Sequence, residues 1–168
     1  MPHPVVYPGN MNALIKEWDE KYKQAWKENR QAGLDALMIA NGQCARLPQE
    51  LTSVGYSGTW QRGDRVIDVA RTLKPGTVIA NFKLIGGKWQ YPHGPGVNVH
   101  GHHAALFITA DSFSTTTGKP GRIRMFDQWH TGRPKPPSPR WVNVWPEAVA
   151  KAKQPCDKAE DFYVVLIP

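Results

Sequence analysis

The stretch at 101–108, Gly-His-His-Ala-Ala-Leu-Phe-Ile, decides the predicted fold of this 168-residue chain. After its glycine and two histidines the stretch is apolar, so it predicts a buried strand over 103–109. Working outward, further runs of β-forming residues bounded by turn residues predict strands at 77–82, 122–128, 140–144 and 161–167. The Gly-Gly pair at 86–87 is a hairpin candidate.

The helical signals lie mainly before these strands. Apolar residues at three- or four-residue spacing predict an amphipathic helix from Asn12 to about Gln31 that stops at Gly33. A second helix is predicted over 44–51, with its start near Cys44 or, alternatively, at Leu47; either start keeps Pro48 in the first turn.

Two short helical pieces are predicted at 68–73 and 147–153, and the Pro-rich segment 131–139 is predicted to be irregular. An order of helices first and strands afterwards favours an α+β fold with an antiparallel sheet. The length favours one domain, 1–168, with a core that needs no disulfide.

The composition narrows the classes of partner. The formal net charge is +7, which favours an anionic partner: nucleic acid, anionic lipid or an acidic cell-wall polymer, among which the charge alone does not choose. The lysines and arginines are scattered rather than clustered, so no nucleic-acid tail is predicted. The first ten residues have no signal-peptide pattern, and no apolar run has the length of a membrane span.

One of the two cysteines, Cys44, is placed to act as a nucleophile. The pair Cys44 and Cys156 has no zinc-binding spacing, although a disulfide between them is an alternative. A thiol at a helix start has a lowered pKa, and the free N–H groups there can hold an oxyanion. The alternative interpretation is that Cys44 is a small buried apolar residue.

A histidine on the later strand can serve as the base. His102 and His103 point to opposite faces of a strand, so only one of them can meet Cys44, and the alternation favours His103. Asp127, at the end of the next strand, can orient the imidazole, with Gln128 as the competing orienting residue.

Two other function classes remain open at this point. His100 and His102 on one strand face, with His93 or His130 as a third ligand, would make a zinc site. A non-catalytic module that binds the cell wall would instead use exposed aromatic and basic residues, among them Trp60 and Trp89.

Several stretches together carry a resemblance to a known family. They are Gly-Gln-Cys at 42–44, Thr-Trp-Gln-Arg-Gly-Asp-Arg-Val at 59–66, Leu-Lys-Pro-Gly-Thr-Val-Ile-Ala at 73–80, the stretch at 101–108, and Phe-Asp-Gln-Trp at 126–129. In this order the chain resembles the papain-like cysteine peptidases and amidases of the CHAP and NlpC type. More narrowly, it is similar to the small peptidoglycan amidases delivered by type VI secretion. The match covers about 41–130.

The resemblance implies a papain-like fold, in which a cysteine at a helix start packs on an antiparallel sheet that carries the histidine. It implies hydrolysis of an amide bond in peptidoglycan peptides, with Cys44 as nucleophile, His103 as base and Asp127 as orienting residue. No metal or organic cofactor is expected. Candidate substrate-binding residues are Gln43, Trp60, His102 and Trp129, and packing in the core is the alternative for the two tryptophans.

The resemblance also implies a place of action. Such an effector is made in the cytoplasm without a Sec signal, acts in the periplasm of a target bacterium and has a cognate immunity protein. A phage endolysin of the same chemistry is the alternative. The bond that is cut is either D-glutamyl–diaminopimelate or the diaminopimelate–D-alanine cross-link, and the cross-link is favoured.

Overall fold

The chain folds into helices packed on an antiparallel sheet, seen in a computed structural model that describes residues 1–93 and 101–168, without the side chains of Gln31 and Leu34. The helices are α1 (Met11–Ala36), α2 (Arg46–Leu51), α3 (Val66–Val69) and α4 (Glu147–Ala150). The strands are β1 (His3–Pro4), β2 (Gln61–Arg65), β3 (Val78–Asn81), β4 (Lys83–Ile85), β5 (Lys88–Gln90), β6 (Ala104–Asp111), β7 (Arg122–Trp129), β8 (Lys135–Asn143) and β9 (Phe162–Ile167). The predicted α+β class with an antiparallel sheet is confirmed.

The main sheet places the two predicted site strands side by side. Among the described residues its order is β1-β9-β3-β6-β7-β8, and β2 also pairs with β9. Every pairing in it is antiparallel, and the β6–β7 register sets Leu106 opposite Phe126. The start of β6 therefore lies beside the end of β7, where His103 and Asp127 were expected to meet.

Side chains alternate between the two faces of the sheet, and each face has its own core. Ala104 and Leu106 of β6 pack in the cluster that contains Leu14 of α1 and Leu47 of α2. The alternate residue Phe107 packs in the second cluster, with residues of α3 and β9. This two-residue period is the one that the apolar run of β6 predicted.

The Pro-rich segment is the main difference from the predicted elements. Residues 131–139 were expected to be irregular, yet β8 begins at Lys135 and runs through three prolines. This is possible because β8 is the edge strand of the sheet, where a proline without an N–H need not interrupt a ladder. The strand predicted at 140–144 is thus the second half of a longer one.

The helices differ from the prediction mainly at their ends. Helix α1 reaches Ala36 rather than stopping near Gly33, and it is broken by non-helical backbone at Asn29 and Arg30. Helices α3 and α4 are shorter than expected. The predicted hairpin forms between β4 and β5, and both its glycines have positive φ, 57° and 79°. Over the described part of the chain, none of the helices has both the length and the apolarity that crossing a membrane requires.

Candidate active site

Cys44 lies in the tight loop between α1 and α2, and the geometry of this loop depends on glycine. Gly42 has a φ of +83°, and a Cβ atom there would lie 2.8 Å from the Cβ of His130. The Asn41 side chain accepts a hydrogen bond from the Gln43 N–H at 3.1 Å, which closes the turn. The predicted turn at 41–42 therefore leads directly into the cysteine.

Helix α2 begins two residues after Cys44, at Arg46. The prediction placed its start near Cys44, with Leu47 as the alternative. Ala45 is the N-cap residue, and Pro48 lies in the first turn, where a missing backbone N–H has no consequence. Because Cys44 precedes the cap of a helix of only six residues, the state of its thiol is set mainly by side chains.

The surroundings of Cys44 favour its thiolate. Burial raises the pKa of this thiol, but the positive charge of His103, hydrogen bonds with His103 and Tyr91, and the Ala104 N–H outweigh burial and lower it to about 7. The Tyr91 hydroxyl lies 3.6 Å from Sγ. A thiol with this pKa is about half ionised at pH 7 and mostly ionised above it, which suits Cys44 to act as a nucleophile.

His103 is buried between Cys44 and a carboxylate. Its exposed fraction is 5%, and Nε2 lies 2.8 Å from Oδ2 of Asp127. Burial lowers the pKa of His103, but the Cys44 thiolate and the bond to Asp127 raise it to about 9. Since Nε2 is engaged by Asp127, Nδ1 is the ring nitrogen left to exchange a proton with Cys44. Between about pH 7 and pH 9 the two groups form a thiolate–imidazolium pair.

Asp127 is fully buried and is surrounded by positive charge. Besides His103 it contacts Lys135 Nζ at 2.7 Å and Arg140 Nε at 2.9 Å. Burial raises the pKa of this carboxyl, but the bond to His103 and the charges of His103, Lys135 and Arg140 hold it well below its usual range. Asp127 is therefore ionised at every pH at which His103 could act.

Gln128 does not contact the histidine, although it was the competing orienting residue. Its side chain is fully buried and bonds to the loop before α2, reaching the backbone of Ile39 and of Gln43. The reason is the alternation along β7, which turns neighbouring residues to opposite faces of the sheet. Asp127 thus faces His103, and Gln128 faces the segment that carries Cys44.

A cavity of about 1140 Å³ opens above these groups and contains several of the predicted substrate-binding residues. Gln43, His102 and Trp129 line it together with Cys44 and His103. The Trp129 ring lies edge-on to His103, with centroids 6.1 Å apart, and its Nε1 donates to Arg133 O at 2.7 Å.

Trp60 was expected to form a wall of the substrate groove, but it lies in the core with an exposed fraction of 4%. Its ring packs against Tyr91 at a centroid distance of 4.8 Å, and its Nε1 donates to the backbone of Val54 and Gly55. A buried indole that reaches a carbonyl has its polar group satisfied without a ligand. Trp60 therefore does not contact the cavity but packs against Tyr91, whose hydroxyl lies beside Cys44.

Three residues of this site were missing from the sequence-based interpretation: Tyr91, Lys135 and Arg140. Tyr91 lies in a segment rich in proline, glycine and histidine, where nothing distinguishes it. Lys135 and Arg140 carry a weak signal, because they belong to a group of three basic residues that follows Asp127 in a segment with the prolines of an edge strand. Pairing that segment with β7 would have brought both cations to Asp127.

Two of the alternatives, the zinc site and the disulfide, can be compared with the described residues. Within 1–93 and 101–168, no group of three or more His, Cys, Asp and Glu residues could hold a metal ion. His100, one of the proposed zinc ligands, lies outside the described residues. Cys44 and Cys156 are both free thiols rather than a disulfide.

Comparisons with known proteins agree with the fold and with the predicted resemblance. No protein-family model matches the chain, and a search of curated proteins finds no match. Among solved structures, one match is "Type 6 secretion amidase effector 2 (Tae2)", with 26% sequence identity and a TM-score of 0.57. The match covers 82% of this chain and 93% of the other. The predicted resemblance of this chain to the type VI secretion amidase effectors is confirmed.

Proposed function

We propose that this protein is a peptidoglycan amidase with a papain-like fold and a cysteine nucleophile, delivered into a rival bacterium by type VI secretion. The observation that carries the proposal is the buried His103, whose Nε2 is bonded to Asp127 and whose positive charge lowers the pKa of Cys44. The likeness to a type VI amidase effector supports the same class of reaction and the route of delivery.

The reaction starts from the thiolate–imidazolium pair. The Cys44 sulfur attacks the carbonyl carbon of an amide, and the negative charge moves to the carbonyl oxygen, where backbone N–H groups beside Cys44 stabilise it. The C–N bond then breaks, and the His103 imidazolium gives its proton to the departing amine. The product of this step is a thioester on Cys44 and a neutral His103.

The second half of the reaction regenerates the enzyme. A water molecule enters the cavity and gives a proton to His103, and its oxygen attacks the thioester carbonyl. The C–S bond breaks, which releases the carboxylic acid and restores the thiolate beside the imidazolium. Asp127 keeps one orientation of the imidazole through both halves, because its bond to Nε2 leaves Nδ1 on the side of the sulfur.

The substrate follows from the cavity and from the family likeness. A cavity of about 1140 Å³ is large enough for an extended peptide, and the net charge of +7 favours an anionic cell wall. Within peptidoglycan we favour the diaminopimelate–D-alanine cross-link over the D-glutamyl–diaminopimelate bond. A cognate immunity protein would protect the producing cell, and the enzyme would act in the periplasm of the target.

Digestion of purified sacculi tests the proposal. The wild-type protein should release muropeptides whose masses identify the bond that was cut. Cys44→Ala should abolish release, whereas Cys156→Ala, which changes the other free thiol, should retain it. Iodoacetamide should stop the reaction and EDTA should not. Undiminished release by Cys44→Ala, or loss of activity in EDTA alone, would exclude the thiol mechanism.

A further inference from the structure

Gln128 uses all the hydrogen-bonding capacity of its amide nitrogen on one loop. Its Oε1 accepts from the Ile39 N–H at 2.8 Å, and its Nε2 donates to Ile39 O at 3.0 Å and to Gln43 O at 3.0 Å. The side chain is fully buried, so these bonds do not compete with water. Gln128 therefore ties the end of β7 to the loop that ends in Cys44.

Asp127, the residue before Gln128, forms the corresponding bond to the histidine. Asp127 bonds to His103 on one face of the sheet, and Gln128 bonds to the segment of Cys44 on the other. Consecutive residues of a strand are held at a nearly constant separation by the covalent backbone. The same two residues of β7 therefore determine where the imidazole and the sulfur lie relative to each other.

The bond to the Gln43 carbonyl also orients the next peptide group. The described residues contain no cis peptide bond, so the C=O of Gln43 and the N–H of Cys44 point in opposite directions. The carbonyl points to Gln128 and to the Arg46 N–H at 3.1 Å. The Cys44 N–H is consequently directed away from both, and Cys44 itself lines the cavity.

We propose that Gln128 is a positioning residue for the nucleophile: by holding Ile39 and the Gln43 carbonyl, it directs both the sulfur and the N–H of Cys44 toward the substrate carbonyl. This inference rests on the proposed thiol mechanism. It assigns Gln128 a role different from that of Asp127, since Gln128 acts on the nucleophile and its N–H rather than on the histidine.

The test compares two changes at Gln128 with a change at another buried polar residue. Gln128→Met keeps the length of the side chain and removes all three bonds. Gln128→Glu keeps a similar shape, and a carboxyl buried against two carbonyl groups stays protonated, so that it can still donate one bond and accept another. The control is Thr77→Val at another buried residue, which removes the hydrogen bond from Thr77 Oγ1 to Lys74 O in the turn just before β3. Neither residue lines the cavity.

Two quantities are measured for each variant: kcat per reactive thiol on a soluble cross-linked muropeptide, and the pH midpoint of Cys44 alkylation by iodoacetamide. In Gln128→Met we expect kcat to fall about 100-fold, because a displaced N–H no longer meets the oxyanion. We expect the alkylation midpoint to rise from about 7 toward 9, as the sulfur drifts from His103. Gln128→Glu should fall between Gln128→Met and the wild type, and Thr77→Val should match the wild type.

If Gln128 has only a structural role, Gln128→Met should lower the melting temperature but leave kcat per reactive thiol and the alkylation midpoint at their wild-type values. That combination would overturn the inference. If Gln128→Met does not fold, the same comparison is made with Gln128→Glu, and wild-type values there would overturn it equally. The alkylation midpoint needs no substrate. The two proposals can therefore fail separately. If the wild type cleaves no muropeptide, the proposed function is refuted, whereas a raised alkylation midpoint in Gln128→Met would still support the positioning role.

Discussion

The substitution Asp127→Asn tests whether the buried carboxylate contributes to catalysis as well as to stability. It keeps the size of the side chain and removes a negative charge that His103, Lys135 and Arg140 share at 2.7–2.9 Å. An amide oxygen can still accept from His103 Nε2, so the imidazole keeps a partner for its orientation. What is lost is the stabilisation of three positive charges in a buried site.

The effect on stability follows from those charges. Removing one member of a buried ion pair costs about 3–5 kcal/mol, because the other member remains buried without compensation. Arg140 retains Asp157 at 3.1 Å, whereas no second ion pair of Lys135 is found in the described part of the chain. Adding Lys135→Met to Asp127→Asn should therefore recover about 2 kcal/mol of the free energy of unfolding, since it removes the worse-placed charge.

The effect on activity follows from the pKa of His103. Its rise from 6.5 to about 9 corresponds to roughly 3 kcal/mol of preference for the imidazolium, of which Asp127 supplies a part. In the wild type the kcat/KM profile should rise near pH 7 with the Cys44 thiolate and fall near pH 9 with loss of the imidazolium. In Asp127→Asn the alkaline limb should move down by roughly one pH unit, and kcat should fall about 10- to 100-fold.

The raised pKa of His103 also makes the free energy of unfolding depend on pH. A raised pKa in the folded state contributes stability that is complete below 6.5 and is lost as the pH rises through about 9. The contribution of His103 to the destabilisation by Asp127→Asn should therefore be largest below about pH 6.5, decrease through neutral pH and disappear above pH 9.

Urea unfolding and kcat/KM profiles between pH 5 and 10 measure both effects, with Asp111→Asn as the control. Asp111 forms a surface ion pair with Arg122 on the neighbouring strand, and its removal should change neither quantity appreciably. If Asp127→Asn destabilises the protein but keeps the wild-type kcat and alkaline limb, Asp127 has no part in catalysis. If Lys135→Met restores activity together with stability, the loss of activity was a folding defect.

Two further predictions concern the thiols and the tyrosine. After brief iodoacetamide treatment at pH 7.5, peptide mapping by mass spectrometry should find Cys44 alkylated and Cys156 unmodified. The reason is that burial and the charge of Asp157 raise the pKa of Cys156 to about 11. Equal labelling of both cysteines would contradict this order of the two pKa values. Tyr91→Phe should lower kcat about 3- to 10-fold, since it removes the hydroxyl that lies 3.6 Å from Cys44 Sγ. The melting temperature should remain nearly unchanged, because the ring still packs on Trp60. An unchanged kcat would show that the hydroxyl does not assist the sulfur.

The sequence was informative wherever the signal was local or periodic. The apolar alternation of β6, the turn at Asn41-Gly42 and the hairpin at Gly86-Gly87 all reflect backbone and burial preferences that neighbouring residues express on their own. The segment 131–139 was misjudged because prolines exclude a central strand but not an edge strand. Whether a strand lies at an edge is a property of the whole sheet.

The sequence by itself determined the fold class and supplied the candidate site residues, because hydrophobic periodicity and residue chemistry can be read from neighbouring positions. Tertiary structure decided how they combine: Asp127 rather than Gln128 meets His103, two cations from β8 keep Asp127 ionised, and Trp60 packs beneath Tyr91 instead of facing the cavity. The physical reason is that these contacts join residues far apart in the chain, and strand register and edge position bring them together.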